Sequence, residues 1–147
     1  MTKREHIKVL AKNLLLRLEQ DGAIAVNPPK RQNCYDALFS KIAGMILTEE
    51  DVRERVHAQL GAKSGELEGN ASTETDQFRA AKAVLIARIG DHEVHKLYYQ
   101  RPLKDVGIVV RDFLMSTPEV EEVFSSDEDL EKSTVEFLKK FDPAQLH

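Results

Sequence analysis

Apolar residues near the start of the chain recur at intervals of three or four, which is the spacing of one face of an α-helix. They predict a first helix over about residues 3–20, and Gly22 suits the left-handed backbone position that often follows a helix. Residues 23–26 are apolar and partly β-branched, so we expect a short extended segment that ends at Pro28 and Pro29. The apolar face consists of Ile7, Leu10, Leu14 and Leu18.

The same periodicity predicts five further helices and therefore an all-α protein, a small bundle of about six helices. In the third helix, Thr48 is a suitable N-cap and the acids that follow it favour the first turn. Residues 61–76 are small and acidic and predict a flexible linker between helical halves at 1–60 and 77–147, which pack separately or around one shared core. The further helices are predicted at about 30–47, 49–60, 75–99, 102–116 and 127–141.

The two ends of the chain match each other at a spacing of 96 residues. A true internal repeat would give two helix–extended–helix halves, with the segments at 23–26 and 119–123 paired around a pseudo-twofold axis as a minor β-structure. Amphipathic helices also match by coincidence, so both interpretations stay open. The matched pairs are Ile7 and Leu103, Leu10 and Val106, Leu14 and Val110, Leu18 and Leu114, Ile24 and Val120, Cys34 and Leu130, Ile42 and Leu138, and Met45 and Phe141.

The composition supports a helical protein and indicates the cellular compartment in which we expect it. The chain has no tryptophan and few aromatic residues, so its core must be built from Leu, Val, Ile and Ala. A single cysteine rules out an intrachain disulfide and fits a reducing compartment. The sequence shows no signal peptide and no apolar run of the roughly 20 residues that span a membrane, so we expect a cytoplasmic protein without a membrane partner.

The formal charge of −4 is divided unevenly along the chain. Residues 1–60 carry ten Lys and Arg against eight Asp and Glu, a net +2, and residues 77–147 carry ten against thirteen, a net −3. Dedicated nucleic-acid-binding domains are usually clearly basic, so this function is only an alternative. It would use basic residues that share a face if the first two helices are antiparallel, namely Lys3, Arg4, Lys8, Lys12, Lys30 and Arg31.

Two candidate chemical sites are weak in the sequence. His92 and His95 are three residues apart, so on a helix both would face one metal ion, but a structural zinc site needs four ligands. The alternative is a solvated polar segment. Cys34 lies on an apolar stripe, where a free cysteine behaves as a small hydrophobic residue rather than as a nucleophile. Phosphate loops and nucleophile, zinc and redox motifs are absent from the sequence, so we expect no cofactor and no enzymatic activity.

Acidic residues form two clusters at predicted helix starts, where the helix dipole favours them. The first spans residues 49–54. The second contains no basic residue, so besides capping a helix it is a candidate surface for a basic partner. Residues 95–101 mix basic and aromatic side chains, and we interpret them as an anchor at the end of the fourth helix rather than as a nucleic-acid platform. The second acidic cluster comprises Glu119, Glu121, Glu122, Asp127, Glu128, Asp129 and Glu131.

The N-terminal part contains two short motifs. They are Val9-Leu-Ala-Lys12 through Leu18-Glu-Gln-Asp-Gly22 with the apolar pair that follows, and Leu47-Thr-Glu-Glu-Asp51 before Val52-Arg-Glu-Arg-Val56. With these motifs the N-terminal part resembles the bacterial domain-of-unknown-function family five-hundred-seven. Leu97-Tyr98-Tyr99 is similar to a tyrosine pair of longer members. The resemblance covers roughly residues 4–60 and implies a bacterial, helical protein, and it brings no catalytic residues.

From these observations we expect a non-enzymatic helical protein that binds another protein or itself, with a homo-oligomer as one form of this function. Nucleic-acid binding through the basic N-terminal helices is the second hypothesis. A metal-dependent enzyme that uses His92 and His95 is the third.

Overall fold

The computed structural model of the chain describes residues 3–59, 76–88 and 92–145. This part forms six α-helices and two small antiparallel sheets. The helices are α1 (Lys3–Gln20), α2 (Arg31–Ile42), α3 (Glu49–Gln59), α4 (Asp76–Arg88), α5 (Leu103–Ser116) and α6 (Asp127–Lys140). The strands are β1 (Ile24–Val26), β2 (Ile46–Thr48), β3 (His92–Val94), β4 (Leu97–Tyr99) and β5 (Val120–Val123), and short 3-10 turns occupy Pro28–Lys30, Ala43–Met45 and Pro143–Gln145.

The coarse prediction of a small helical protein with about six helices is confirmed. Gly22 follows α1 with a positive φ of 75°, as its predicted role requires. The predicted cap of α3 is also present, because the Thr48 hydroxyl accepts from the amide of Asp51 at 3.3 Å and the Asp51 carboxylate accepts from the amide of Thr48 at 2.9 Å. The predicted linker at 61–76 lies outside the described residues apart from Asp76, and the division into two halves stays a prediction.

The predicted pairing of the two extended segments is confirmed. β1 and β5 are antiparallel neighbours, with Ile24 opposite Val123 and Val26 opposite Val120. A register shift between Ala25 and Val26 sets the extra residue of β5 against β1, which is the geometry of a β-bulge. The bulge lets both valines of β5 stay half-buried while the two residues between them face solvent.

The element bounds repeat at the predicted spacing of 96 residues. α1 and α5 end at Gln20 and Ser116, and α2 and α6 begin at Arg31 and Asp127. The strands between them also begin 96 residues apart, and an antiparallel pair of equivalent strands is the arrangement that a pseudo-twofold axis requires. A common origin of the two halves stays a prediction.

The all-α prediction is wrong in one region, where a three-stranded sheet of order β2-β4-β3 replaces the ends of two predicted helices. The second helix ends at Ile42 instead of continuing to 47, and the fourth does not reach 99, because residues 92–94 and 97–99 are strands. β-Branched and aromatic residues in β2 and β4 favour strands, and each strand has only three residues, so long-range pairing decides the structure. A tight turn at His95 and Lys96 joins β3 to β4, and both residues have positive φ.

The buried side chains form two clusters. The larger one contains the inward faces of α1, α2, α5 and α6 together with β1. The smaller one joins α3 to α4 and to one face of the second sheet. Its buried members are Leu47, Val52, Val56, Phe78, Leu85 and Tyr98. No helix within the described residues has both the length and the apolar content needed to cross a membrane.

Adjacent tyrosines of β4 point into different clusters, and their hydroxyl groups have opposite environments. The Tyr98 hydroxyl donates a hydrogen bond to Glu49 at 2.6 Å, and Lys82 of α4 reaches the other oxygen of this carboxylate at 2.5 Å. Burial raises the pKa of Glu49, but these two hydrogen bonds outweigh it, so the pKa lies below its usual value. The Tyr99 hydroxyl is buried with no hydrogen-bond partner in the described structure, and burial raises its pKa.

Substitution of the two tyrosines by phenylalanine should therefore change stability in opposite directions. Tyr99→Phe removes a buried, unsatisfied hydroxyl and should raise the free energy of unfolding by about 1 kcal/mol. Tyr98→Phe removes a hydrogen bond to a charged group and should lower it by about 1.5 kcal/mol. Urea titrations of the two variants and the wild type provide the measurement, and a loss of stability in Tyr99→Phe would contradict this assignment.

Candidate interaction surfaces

α4 is apolar around most of its circumference, although only one of its faces is buried. Phe78 and Leu85 point inward against α3. On the opposite face, the side chain of Val84 is 53% exposed, and three alanines beside it are exposed as well. These four residues follow the i, i+3, i+4, i+7 spacing of a single helical stripe. The α4 outer face, as we name this stripe, comprises Ala80, Ala83, Val84 and Ala87.

Basic residues border the α4 outer face. Arg79 and Arg88 are exposed and lie on its two flanks according to the helical periodicity. Within the described part of the chain, the ion pair of Arg79 is a long contact to Asp76, at 3.8 Å between two highly exposed side chains. Lys82 is directed to the other side of the helix, where it binds Glu49. A helix that is apolar on all sides is normally buried on all sides, so this exposed stripe with basic flanks is unusual.

The second acidic cluster of the sequence divides into paired and unpaired carboxylates. Glu119 accepts a hydrogen bond from Thr117, which lowers its pKa, and the positive charge of Lys30 acts in the same direction. Glu131 forms an ion pair with Arg111 of α5. Both residues are half-buried and contribute to intramolecular contacts.

Five carboxylates of this cluster are exposed and have no ion pair within 4 Å in the described structure, although Asp127 lies near enough to Arg111 to interact with its charge. Two are on β5, where the bulge turns both toward solvent, and three are in the first turn of α6, where Ser126 caps the helix by accepting from the amide of Asp129 at 3.2 Å. Phe124 lies between the two groups, and its side chain is 62% exposed. We define the acidic surface as the exposed residues Glu121, Glu122, Phe124, Asp127, Glu128 and Asp129.

Helix capping explains only part of the acidic surface. The three acids of α6 lie where the helix dipole favours negative charge. The two glutamates of β5 are not at a helix end, and an aromatic ring that is mostly exposed costs hydration free energy. Glu122 of β5 and Phe124, just after the strand, are both exposed, whereas Val123 between them is half-buried.

The basic N-terminal residues do not form a uniform patch. α1 and α2 are antiparallel as the nucleic-acid hypothesis requires, because Lys8 lies 5.5 Å from the ring of Phe39 and Arg31 binds Glu19. The two terminal guanidinium nitrogens of Arg31 donate to the two carboxylate oxygens of this glutamate, at 2.9 and 2.8 Å.

The other residues of that hypothesis are dispersed. Lys12 is exposed beside a shallow groove of about 150 Å³ that also contains Asp36, and Lys30 is exposed in the turn before α2. The side chains of Lys3 and Arg4 lie outside the described residues. The described part of this face therefore carries mixed charge.

His92 and His95 are not on a helix, which corrects the basis of the metal hypothesis. His92 is in β3 and its side chain is not among those described, whereas His95 is in the turn that follows, 3.7 Å from the carboxylate of Asp142. His95 lines a cleft of about 590 Å³ together with His6, Lys96 and other residues. Within the described residues, no three His, Cys, Asp or Glu side chains are grouped in a way that would hold a metal ion.

Residues 95–101, which were predicted to anchor the end of the fourth helix, instead include the turn at residues 95–96 and strand β4. Tyr98 and Tyr99 are buried in β4 rather than half-exposed at a helix end, so neither offers its ring for stacking with a base. Gln100 instead joins the sheet region to the preceding turn, since its side-chain amide donates to the carbonyl of Gly44 at 2.8 Å.

Cys34 is a buried core residue, as its position on the apolar stripe predicts. Its side chain is fully buried in the larger cluster. Burial, with smaller contributions from Glu119 and Glu19, raises the pKa of the thiol to about 11. The thiolate, which is the reactive form, is therefore scarce at neutral pH as well as inaccessible.

The Cys34 thiol should not react with Ellman's reagent in the native protein at pH 8. One equivalent should react at once after unfolding in guanidinium chloride, because unfolding exposes the sulfur and restores an ordinary thiol pKa. The release of thionitrobenzoate measured with and without denaturant tests this expectation. Rapid stoichiometric labelling in native buffer would refute the placement of Cys34 in the core.

Sequence reasoning did not find the α4 outer face. The apolar periodicity that predicts this helix includes Phe78 and Leu85, which the structure buries, but the opposite alanines carried no signal because alanine is common on both buried and exposed helix faces. The spacing of the stripe from Ala80 to Ala87 was visible in the sequence, and it becomes informative only once the structure shows which face is exposed.

Comparison with known proteins assigns no family to this fold. No family model matches the chain, and no curated protein or solved structure is significantly similar to it. The resemblance of residues 4–60 to family five-hundred-seven therefore stays a prediction.

Proposed function

We propose that this chain is a non-enzymatic protein-binding module and that the α4 outer face is its principal interface. One observation carries the proposal: α4 has an apolar stripe on the side that faces away from the smaller core. Burial of apolar surface is the main driving force of protein association. A partner that covers Val84 and its neighbouring alanines would remove this area from water.

The small side chains of the stripe favour a helix or another flat element as the bound structure. Alanine lets a partner backbone approach closely, and Val84 adds a single larger contact at the centre. Arg79 and Arg88 at the flanks would then form ion pairs at the polar rim, where charges contribute more to specificity and association rate than to affinity. This arrangement supports protein binding more than catalysis. We also propose a cytoplasmic location, because the single cysteine fits a reducing compartment.

The proposal is tested by introducing a charge into the stripe. The affinity-tagged chain serves as the bait. With Val84→Glu in the bait, it should no longer retain the proteins that the wild-type bait retains, including untagged copies of the chain. Ser40→Glu is the matched control, since it adds the same charge at an exposed position of α2. Circular dichroism and thermal melting should show that both variants are folded. Equal retention by Val84→Glu and Ser40→Glu would refute the role of the α4 outer face.

Nucleic-acid binding remains the second candidate, supported by the antiparallel packing of α1 and α2. A fluorescence polarisation titration with a labelled duplex at low salt separates the two functions. Binding that weakens steeply with salt and is lost in Lys8→Glu/Lys12→Glu would favour this candidate. This candidate ranks below protein binding because Glu19 engages Arg31, one of the basic residues that it would use.

A further inference from the structure

We infer that the partner of the α4 outer face is the acidic surface of a second copy of this chain. The inference rests on the proposed function and names the occupant of its interface. One copy would supply the stripe from Ala80 to Ala87, and the other would supply Phe124 and the carboxylates around it.

The apolar parts of the two surfaces complement each other in shape. Val84 and the alanines form a low stripe without large side chains, whereas the Phe124 ring is an exposed projection. An aromatic ring placed on small side chains buries its face without displacing other groups, and such aromatic anchors dominate many interfaces. Val84 and Phe124 are two of the three large apolar side chains that are exposed in the described structure.

The charges also complement each other. Beside the α4 outer face, Arg79 and Arg88 stand against the single acid Asp76, which gives a net charge of +1, because Glu49 binds Lys82 on the other side of the helix. The acidic surface has five exposed carboxylates and no basic residue. Opposite charges around an apolar centre steer association and fix its orientation.

Contacts between two identical surfaces are disfavoured by the same charges. Two α4 helices packed antiparallel through Val84 would bring Arg79 of one copy near Arg88 of the other, since these residues lie almost symmetrically about the centre of the stripe. Two acidic surfaces would oppose carboxylates with carboxylates, and paired β5 edges would set glutamate against glutamate. The contact is therefore heterologous, with one donor and one acceptor surface on each copy.

A heterologous contact predicts a result for mixed variants that a symmetric dimer would not give. Val84→Glu inactivates the donor surface and Phe124→Glu inactivates the acceptor surface. Each variant alone should sediment as the monomer of 16.6 kDa at concentrations where the wild type associates, a loss of affinity of at least tenfold. An equimolar mixture should form 1:1 dimers and nothing larger, because each pair retains one intact interface.

A second pair of variants tests whether the charges on the two surfaces contribute to the contact. It also keeps the inference testable if a variant of the first pair does not fold. Arg79→Glu/Arg88→Glu and Glu121→Arg/Glu122→Arg should each lose self-association and regain it when mixed. Ser40→Glu is the control and should associate as the wild type does. Sedimentation velocity over a concentration series, with circular dichroism to confirm folding, provides the readout.

Three results would overturn the inference. These are a wild type that stays monomeric at every concentration, association that persists in Phe124→Glu, and mixtures that do not recover. The wild-type bait could nevertheless retain a different protein that the Val84→Glu bait does not retain. In that case the proposed function stands and only the self-docking inference is rejected. If neither experiment depends on Val84, both proposals are rejected.

Discussion

Replacement of Gly107 by leucine should lower the free energy of unfolding by about 3 kcal/mol, which is the upper part of the range for overpacked sites. Gly107 is in α5 where this helix crosses α6 most closely. A Cβ atom there would lie 3.1 Å from the backbone carbonyl oxygen of Glu131 and 3.2 Å from a methyl group of Val135. The remaining atoms of leucine have no space, so the two helices must separate.

The expected decrease in melting temperature for Gly107→Leu is about 10 °C, from the usual entropy of unfolding of a chain of this length. Gly44→Leu is the matched control, because a Cβ at Gly44 meets no atom within 4 Å and its side chain would face solvent. Differential scanning calorimetry of both variants measures the difference. A Gly107→Leu protein as stable as the Gly44→Leu protein would show that α5 and α6 do not make this contact.

Replacement of Leu14 by alanine should lower the free energy of unfolding by about 3 kcal/mol, since buried Leu→Ala changes cost about 2–5 kcal/mol through lost burial and the remaining cavity. Leu14 is fully buried at the middle of α1, in the larger cluster. Lys12→Ala, at an exposed position of the same helix, should change stability by less than about 0.5 kcal/mol.

Guanidinium chloride unfolding of the Leu14 and Lys12 variants, followed by circular dichroism, gives both values. A change of less than about 1 kcal/mol in Leu14→Ala would mean that α1 is not the central helix of the core. The comparison also tests the sequence-based interpretation of α1, because the same apolar periodicity assigned Leu14 to the buried face.

Local patterns in the sequence predicted most of the helices and one of the two sheets. α1, α5 and α6 follow directly from the spacing of their apolar residues, and each ends at a glycine or proline or near one. The pairing of β1 with β5 was predictable because both strands repeat at the same 96-residue spacing. In this case the 96-residue repeat in the sequence also identifies the two strands that pair.

The second sheet could not be predicted in the same way. β2, β3 and β4 have three residues each, which is too short for a period of two to differ from a helical pattern. Their structure depends on partners distant in sequence, such as Ile46 opposite Tyr99. The predicted helix to residue 99 is wrong for this reason, and the helical spacing on which the metal hypothesis for His92 and His95 was based is wrong with it.

The interaction surfaces show what depends on tertiary structure. The sequence identified the acidic cluster, and the structure separates Glu119 and Glu131, which have internal partners, from the five exposed carboxylates. The exposure of Phe124 could not be predicted from its position in the sequence, because apolar residues next to a strand are usually buried. The α4 outer face was likewise hidden until the buried side of α4 was known.

The central claim is that the α4 outer face is covered by another protein chain in the cell. Photo-crosslinking tests it most directly, with benzoylphenylalanine incorporated at position 84 and, as the control, at position 40 in the living producing cell. We predict a discrete crosslinked product from position 84 that is absent from position 40, and under the self-docking inference its peptide map contains the segment around Phe124 of a second copy. Equal or absent crosslinking at the two positions would contradict the account.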